Sequence, residues 1–147
     1  MKLMEAITVP GTIESLDAIA KYILAVATQA GLDKKAAYKL RLAIDEIATN
    51  IIIHGYQEAG KEGVLGVQAD IDDHCVTIAL EDTGAAFNPL EKVPVETETL
   101  ERPLAQRPIG GLGIFLAFQG VDKFVYEKLG DRNRNIFVVN RTTNLSA

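Results

Sequence analysis

The chain has 147 residues, of which 48% are hydrophobic and 24% are charged, and its net charge is −5. This length fits one domain with a core that needs no disulfide or metal, and the acidic balance argues against direct nucleic-acid binding. A single cysteine, no apolar run near the roughly 20 residues of a membrane span and no secretory signal predict one cytoplasmic domain, residues 1–147, without membrane association.

The first elements are a short strand and an amphipathic helix. Residues 4–9 partly alternate and precede Pro10, which is typical of a strand. Apolar residues then recur at helical spacing, with Thr12 or Ser15 as a start signal and Gly31 as a stop signal. We therefore expect a first helix between these residues.

The second helix carries a polar row beside an apolar one. Asp33 is a suitable N-cap, and the helical pattern runs to about His54, where Gly55 would end it. Glu46, Asn50 and His54 recur at four-residue steps, so they share a stripe at the border of the core. A carboxylate in this row can accept a proton, while an amide oxygen can ligate a cation such as Mg²⁺. The spacing alone favours a simpler interpretation, the solvated edge of a helix whose apolar stripe faces a sheet: Leu40, Ile44, Ile47 and Ile51.

From Val64 the apolar period changes to two, which predicts a strand, a turn at "DDH" and a second strand. The second strand ends in Glu81 and Asp82 and leads directly to Gly84. Asp beside Gly at a strand end is common in turns. Alternatively, Gly84 lets the backbone approach a flat ligand while Asp82 accepts a hydrogen bond from its amino group. The two interpretations are equally compatible with these residues.

Residues 83–113 lose periodicity and contain four of the five prolines. Loops of this length inside compact domains are usually functional lids or disordered segments. The loop ends in three glycines, Gly110, Gly111 and Gly113, directly before a short helix at 114–121. Backbone N–H groups at a helix start attract anions, so a phosphate site is the natural inference, to which Arg107 could add charge. The alternatives are a flexible hinge and a solvated arginine.

The last elements form a hairpin, with residues 122–129 and 136–141 as strands and "GDRNRN" as the turn between them. The order of elements along the chain is strand, two helices, two strands, loop, helix and two strands. It predicts an α+β fold, a two-layer sandwich with helices on one face of a mixed, mostly antiparallel sheet.

Three motifs in this order, "DEIATN", "DTGAAF" and "GGLGI", resemble the N-box and the two G boxes of the GHKL ATP-binding superfamily. The resemblance covers about residues 5–141. The small size, the Glu-x-x-x-Asn form of the N-box and the first G box look most like bacterial anti-sigma-factor serine/threonine kinases. The resemblance implies a histidine kinase-like, Bergerat-type ATP-binding fold.

The resemblance also implies ATP and Mg²⁺ as cofactors and a role for each matching residue. Glu46 would be the general base, Asn50 the Mg²⁺ ligand and Asp82 the carboxylate that reads adenine. Gly84 would give the base room. The remaining nucleotide-binding positions would belong to an ATP lid at about residues 85–112 and to its end: Phe87, Arg107, Gly110, Gly111, Leu112 and Gly113.

The implied function is a partner-switching protein serine/threonine kinase. It would sequester a sigma factor or similar client and phosphorylate an anti-anti-sigma-type, STAS-like antagonist on a hydroxyl, and a homodimer is compatible with the family. A carboxylate base suits this reaction because a hydroxyl is a poor nucleophile at neutral pH. Two alternatives are a non-catalytic, nucleotide-dependent binding module and a plain ATPase. The complete pair of Glu46 and Asn50 favours the kinase, and His54 is expected to have no catalytic role.

Overall fold

The computed structural model describes residues 2–92, 114 and 117–141. Short 3₁₀ turns lie at Ile13–Ser15 and Pro89–Lys92, and residues 114 and 117–119 are helical. Most of the predicted lid lies outside the described residues. The longer elements are β1 (Lys2–Leu3), β2 (Ile7–Pro10), α1 (Leu16–Gln29), α2 (Lys34–Asn50), a π-helix (Ile51–Gln57), β3 (Val64–Ile71), β4 (Cys75–Asp82), β5 (Lys123–Leu129) and β6 (Arg132–Asn140).

The strands form one sheet in the order β1-β3-β4-β6-β5, and β2 also pairs with β3. Every strand pair among the described residues is antiparallel. Side chains that point to one face of β3 and β6 are buried, whereas those on the other face are partly exposed. The buried face packs with α1 and α2 into one core. The α+β prediction, with helices on one face of a mostly antiparallel sheet, is confirmed.

The apolar stripe of α2 lies in this core as predicted. None of its four side chains is more than 2% exposed. Complete burial of an Ile or Leu side chain contributes about 1.5–3 kcal/mol to folding, so the stripe fixes how α2 is rotated on the sheet. Its members are Leu40, Ile44 and Ile47 on α2 and Ile51 at the start of the π-helix that continues it.

The local signals at the ends of the first two helices mark three of the four ends well. Ser15 directly precedes α1, but its backbone is already helical and its side chain forms no cap hydrogen bond with the described residues. Gly31 follows α1 with a φ of 73°, a conformation that glycine adopts without strain. Asp33 caps α2, because its Oδ1 accepts a hydrogen bond of 2.7 Å from the backbone N of Ala36. Within the described ranges, no helix is long and apolar enough to cross a membrane.

The prediction that Gly55 ends the second helix is wrong. Helical winding continues through Gln57 in the wider π form, with a backbone bond from Glu58 to Ile53. Tertiary packing overrides the glycine stop signal here, since Gly55 and Tyr56 are both buried.

The predicted hairpin turn is too long. Only Gly130 and Asp131 form the turn, with Gly130 at a φ of 66°, and β6 already begins at Arg132. The polar sequence "RNRN" is extended because it pairs with β4 on one side and β5 on the other. Asn133 lies opposite Asp82 in this register, which brings an unpredicted residue to the candidate site.

Candidate functional site

Glu46 and Asn50 lie one turn apart near the end of α2. Asn50 is only 8% exposed, and its Nδ2, which lies near the Glu46 carboxyl, forms no close hydrogen bond with the described residues. Burial raises the pKa of the Glu46 carboxyl above its ordinary value of 4.5, the Asn50 amide opposes this shift, and the charge of Asp45 adds to it. A carboxylate with increased proton affinity therefore lies beside an amide that can still form hydrogen bonds with a ligand.

A groove of about 460 Å³ gives access to Glu46 from solvent. It lies between α2 and the segment 117–120. A substrate group bound in this groove would be in contact with Glu46. The residues that line it with Glu46 are Lys39, Leu42, Asp45, Ala117, Gln119 and Gly120.

Asp82, the last residue of β4, is 4% exposed. Its Oδ1 accepts hydrogen bonds from the backbone N of Gly84, at 2.9 Å, and from Nδ2 of Asn133, at 3.0 Å. Burial raises the pKa of Asp82, while the bonds from Asn133 and Gly84 and the charge of Lys128 lower it. Both hydrogen bonds from the described residues are accepted by Oδ1. This leaves Oδ2 to accept a hydrogen bond from a ligand.

Asn133 and Tyr126 hold Asp82 in place, and the sequence interpretation missed both of them. Tyr126 donates a hydrogen bond of 2.7 Å from its hydroxyl to Oδ1 of Asn133, which directs Nδ2 of Asn133 toward Asp82. Asn133 lies in the segment 130–135 that the pattern predicts as a turn, and Tyr126 lies in a predicted strand but belongs to none of the three motifs. The signal that could have found Asn133 is the two-residue spacing with which it precedes the apolar residues Phe137 and Val139.

Gly84 packs against the backbone of the π-helix. A Cβ on Gly84 would lie 2.7 Å from the carbonyl oxygen of Gly55, closer than real Cβ contacts. The next residue, Ala85, donates a backbone hydrogen bond of 2.8 Å to the same oxygen. Because Gly84 has no side chain, the loop after β4 can pack closely against the π-helix, which continues the helix that carries Glu46 and Asn50. The expectation that Gly84 also makes room for a nucleotide base stays a prediction.

Phe87 and His54 form a second link between these segments. Their rings stack, with centroids 4.9 Å apart and planes 13° apart. Nδ1 of His54 also lies 2.6 Å from Oε1 of Glu58, one turn further along the helix. These contacts give His54 a packing role and place Phe87 against the polar row of the helix.

The structure therefore brings the predicted N-box and first G-box residues together in two groups, Glu46 with Asn50 and Asp82 with Gly84. The π-helix links the two groups through Gly55. The other predicted residues lie outside the described part of the chain: Arg107, Gly110, Gly111, Leu112 and Gly113.

Comparison with known proteins finds a matching family model and several similar proteins. Residues 9–139 match the family model described as the histidine kinase-like ATPase domain. The chain is 34% identical over 89 residues to an anti-sigma F factor from Clostridium acetobutylicum, an alignment that covers 60% of each chain. It is 30% identical over 93 residues to the serine-protein kinase RsbW of Oceanobacillus iheyensis, covering 62% of this chain and 58% of that one. The chain thus spans about three fifths of the length of these two relatives.

A longer alignment and a solved structure extend the comparison. The serine-protein kinase RsbW of Staphylococcus aureus is 25% identical over 124 residues, which cover 83% of this chain and 78% of the relative. The histidine kinase domain of a blue-light activated histidine kinase from Erythrobacter litoralis superposes with a TM-score of 0.53 at 16% identity. That superposition covers 86% of this chain and 59% of the other, and it supports the fold alone.

Proposed function

The chain belongs to the histidine kinase-like ATPase domain family, and from this premise we propose that it is an ATP-dependent protein serine/threonine kinase of the anti-sigma-factor type. The observation that carries the proposal is the pair of Glu46 and Asn50, a carboxylate with a raised pKa beside a buried amide with an unpartnered Nδ2. The pair supplies the proton acceptor that phosphorylation of a hydroxyl needs.

Asp82 is the residue that recognises the adenine base. Its Oδ2 accepts a hydrogen bond from the exocyclic amino group, while Asn133 and the backbone of Gly84 hold Oδ1. A base with a carbonyl oxygen at that position would face the carboxylate with an acceptor and would be rejected. We therefore expect the site to prefer ATP over GTP.

The donor set fits Mg²⁺ in the company of a nucleotide. An amide oxygen is a hard ligand, and the Asn50 amide, whose Nδ2 forms no close hydrogen bond with the described residues, can present it by rotating about its last bond. Asn50 would hold the ion, which supplies charge neutralisation for the transferred phosphate. The glycines at positions 110, 111 and 113, Leu112 and Arg107 are proposed as donors to the phosphates, and Phe87 as a wall of the site.

Glu46 acts on the acceptor hydroxyl. A serine or threonine of the protein substrate gives its proton to the Glu46 carboxylate as its oxygen attacks the γ-phosphorus. The new bond joins this oxygen to phosphorus, and the bond to the bridging β,γ-oxygen breaks, so ADP leaves. The raised pKa of Glu46 strengthens it as a proton acceptor.

The names of the relatives suggest the partners. We propose that the client is a sigma factor or similar regulator and that the substrate is an anti-anti-sigma-type antagonist, which is phosphorylated on a hydroxyl. Phosphorylation would weaken binding of the antagonist and so free the domain for its client. A homodimer is the proposed assembly.

Glu46→Gln tests the catalytic part of the proposal. Purified protein is incubated with Mg²⁺, radiolabelled ATP and an antagonist candidate encoded near its gene. The wild type should label the antagonist, and Glu46→Gln should lose nearly all labelling while it still binds ADP in calorimetry, because only the base is removed. Labelling at the wild-type rate by Glu46→Gln, or no labelling by the wild type, would reject the kinase assignment. In the second case, nucleotide-dependent capture of the antagonist would identify a binding module, and phosphate release without any acceptor would identify an ATPase.

A further inference from the structure

The inner face of β6 carries a second asparagine that none of the contacts above uses. Asn135 is 1% exposed, and neither its Nδ2 nor its Oδ1 has a hydrogen-bond partner among the described residues. A buried amide without partners destabilises a fold, because folding removes its hydrogen bonds to water and replaces them with nothing. The residue therefore needs an explanation outside the hydrogen bonds of the fold itself.

Asn135 lies one row of side chains away from Asp82. On β6, Asn133 is opposite Asp82, and Asn135 is opposite the preceding inward residue of β4, Leu80. Side chains two positions apart on a strand point to the same face at a spacing of about 7 Å. On its other side Asn135 is opposite Tyr126, whose hydroxyl binds Asn133. The Asp82 site and Asn135 thus belong to one continuous polar area on the inner face of the sheet.

This polar area ends directly behind Asn135. The next row toward the core contains Ile78 on β4, Phe137 on β6 and Phe124 on β5, and the rings of the two phenylalanines are in contact. A leucine or valine at position 135 would continue that apolar row without leaving unmatched polar atoms. The amide is therefore at the boundary between the core and the place where the proposed base would lie.

We propose that Asn135 is a second base-reading residue. Its amide forms hydrogen bonds, directly or through one ordered water, with the purine base. The amino group of the same base donates a hydrogen bond to Asp82. An amide offers both donors and an acceptor, and so matches a purine edge on which acceptor nitrogens and an amino group are neighbours. The inference rests on the proposed nucleotide site and gives Asn135 a role in specificity and none in catalysis.

Asn135→Leu tests the inference, since leucine is similar in size and has no polar atoms. The affinity for ADP, measured by calorimetry, should fall about tenfold or more, because a polar atom of the bound base is left unmatched. The melting temperature without nucleotide should stay the same or rise. The matched control is Asn140→Leu, an exposed position on the same strand, which should leave the affinity unchanged. Unchanged affinity in Asn135→Leu together with a raised melting temperature would overturn the inference.

A measurement on the unmodified chain keeps the test independent of how the variant folds. In nuclear magnetic resonance spectra, the side-chain amide signal of Asn135 should shift when ADP is added, and its protons should exchange more slowly. A signal that does not respond would overturn the proposal. If the wild type binds no ADP at all, the proposed function fails with it. If the wild type binds ADP and Asn135→Leu binds equally well, only the role of Asn135 fails.

Discussion

Asp82 and Glu46 are both carboxylates that burial makes harder to ionise, but their surroundings differ. Asp82 is nearly inaccessible and is held by Asn133 and the backbone of Gly84, so it is fixed in one orientation. Glu46 lines an open groove, with the Asn50 amide and the charge of Asp45 near it. A fixed acceptor suits recognition of a rigid base, whereas an accessible carboxylate with a raised pKa suits proton transfer.

Replacing Asp82 by asparagine should weaken nucleotide binding strongly. The neutral amide is a weaker acceptor and can turn its own donor toward the amino group of adenine. We expect the affinity for ADP to fall about 100-fold, the upper range for a buried, charge-assisted hydrogen bond. Calorimetry is the measurement. Glu81→Gln is the control, because Glu81 is the preceding residue but bonds to Arg132 on the other face of the sheet. Wild-type affinity in Asp82→Asn would remove the basis of the site assignment.

The raised pKa of Glu46 predicts a pH-dependent gain in stability for Glu46→Gln. Below pH 4.5 the carboxyl is protonated in both the folded and the unfolded chain and has no effect. Above that value the unfolded chain ionises more readily than the folded one, so ionisation favours unfolding. The variant should therefore be slightly more stable than the wild type at neutral pH and equally stable in acid.

Urea unfolding at the two pH values measures this difference. Glu14→Gln, at an exposed position, is the control and should show no such pH dependence. A gain for Glu46→Gln that is the same in acid and at neutral pH would contradict the assigned cause. The effect should be small because the carboxylate is partly exposed to solvent.

At the scale of elements, the π-helix connects the segment of Glu46 and Asn50 to the loop that follows Asp82. Its residue Gly55 receives the hydrogen bond from Ala85 and lies against Gly84, while His54 stacks on Phe87. Tyr56 adds a further contact to the strands, because its hydroxyl donates a hydrogen bond to the carbonyl of Val64 and accepts one from the backbone N of Thr83. Short π segments are frequent at functional sites, and this one positions the loop that follows Asp82.

Gly84→Ala and Gly55→Ala should differ although the two glycines are in contact. A Cβ at position 84 would collide with the Gly55 carbonyl at 2.7 Å, whereas a Cβ at position 55 would meet its nearest neighbour at 3.6 Å. We expect Gly84→Ala to lower the free energy of unfolding by about 1–3 kcal/mol and Gly55→Ala to change it little. Thermal and urea unfolding of both variants measure this. Equal stability of the two variants would show that the loop moves away at no cost.

At the scale of the whole molecule, Arg141 ties the two layers together. From the end of β6 its Nε donates to the carbonyl of Ala30 at 2.9 Å, and its Nη1 donates to the carbonyl of Asp72. One side chain thus connects the sheet, the end of α1 and the turn between β3 and β4. Such bonds stabilise both the helix end and the hairpin, since no backbone N–H among the described residues is seen to bond to either carbonyl outside the regular elements.

Arg141→Ala should therefore lower the free energy of unfolding by about 1–3 kcal/mol. Lys21→Ala removes another basic residue and is the control, because its ion pair with Asp17 is almost fully exposed and should contribute little. Urea denaturation curves of both variants measure the contrast. A loss in Lys21→Ala as large as in Arg141→Ala would contradict the role given to Arg141.

The parts of this fold that could be predicted from the sequence are those set by local chemistry. Gly31 and Asp33 mark helix ends through their own backbone and side chain, and the apolar stripe of α2 follows from spacing. The π-helix could not be predicted in this way, and the start of β6 is marked in the sequence only by the two-residue spacing of Asn133 with Phe137 and Val139. Gly55 continues a helix because Ala85 and Gly84 pack on it, and Asn133 is extended because β4 and β5 pair on either side. Both features depend on residues far away in the chain.

The hydrogen bond from Ala85 N–H to Gly55 C=O has a further consequence for how the sequence can change. Both of its atoms belong to the main chain, so exchange of a side chain does not delete it. This hydrogen bond would be broken by a side chain at position 84, which would collide with Gly55, or by a proline at position 85, which has no N–H. Exchange of other side chains around the proposed nucleotide should therefore leave the distance between the helix and the loop unchanged.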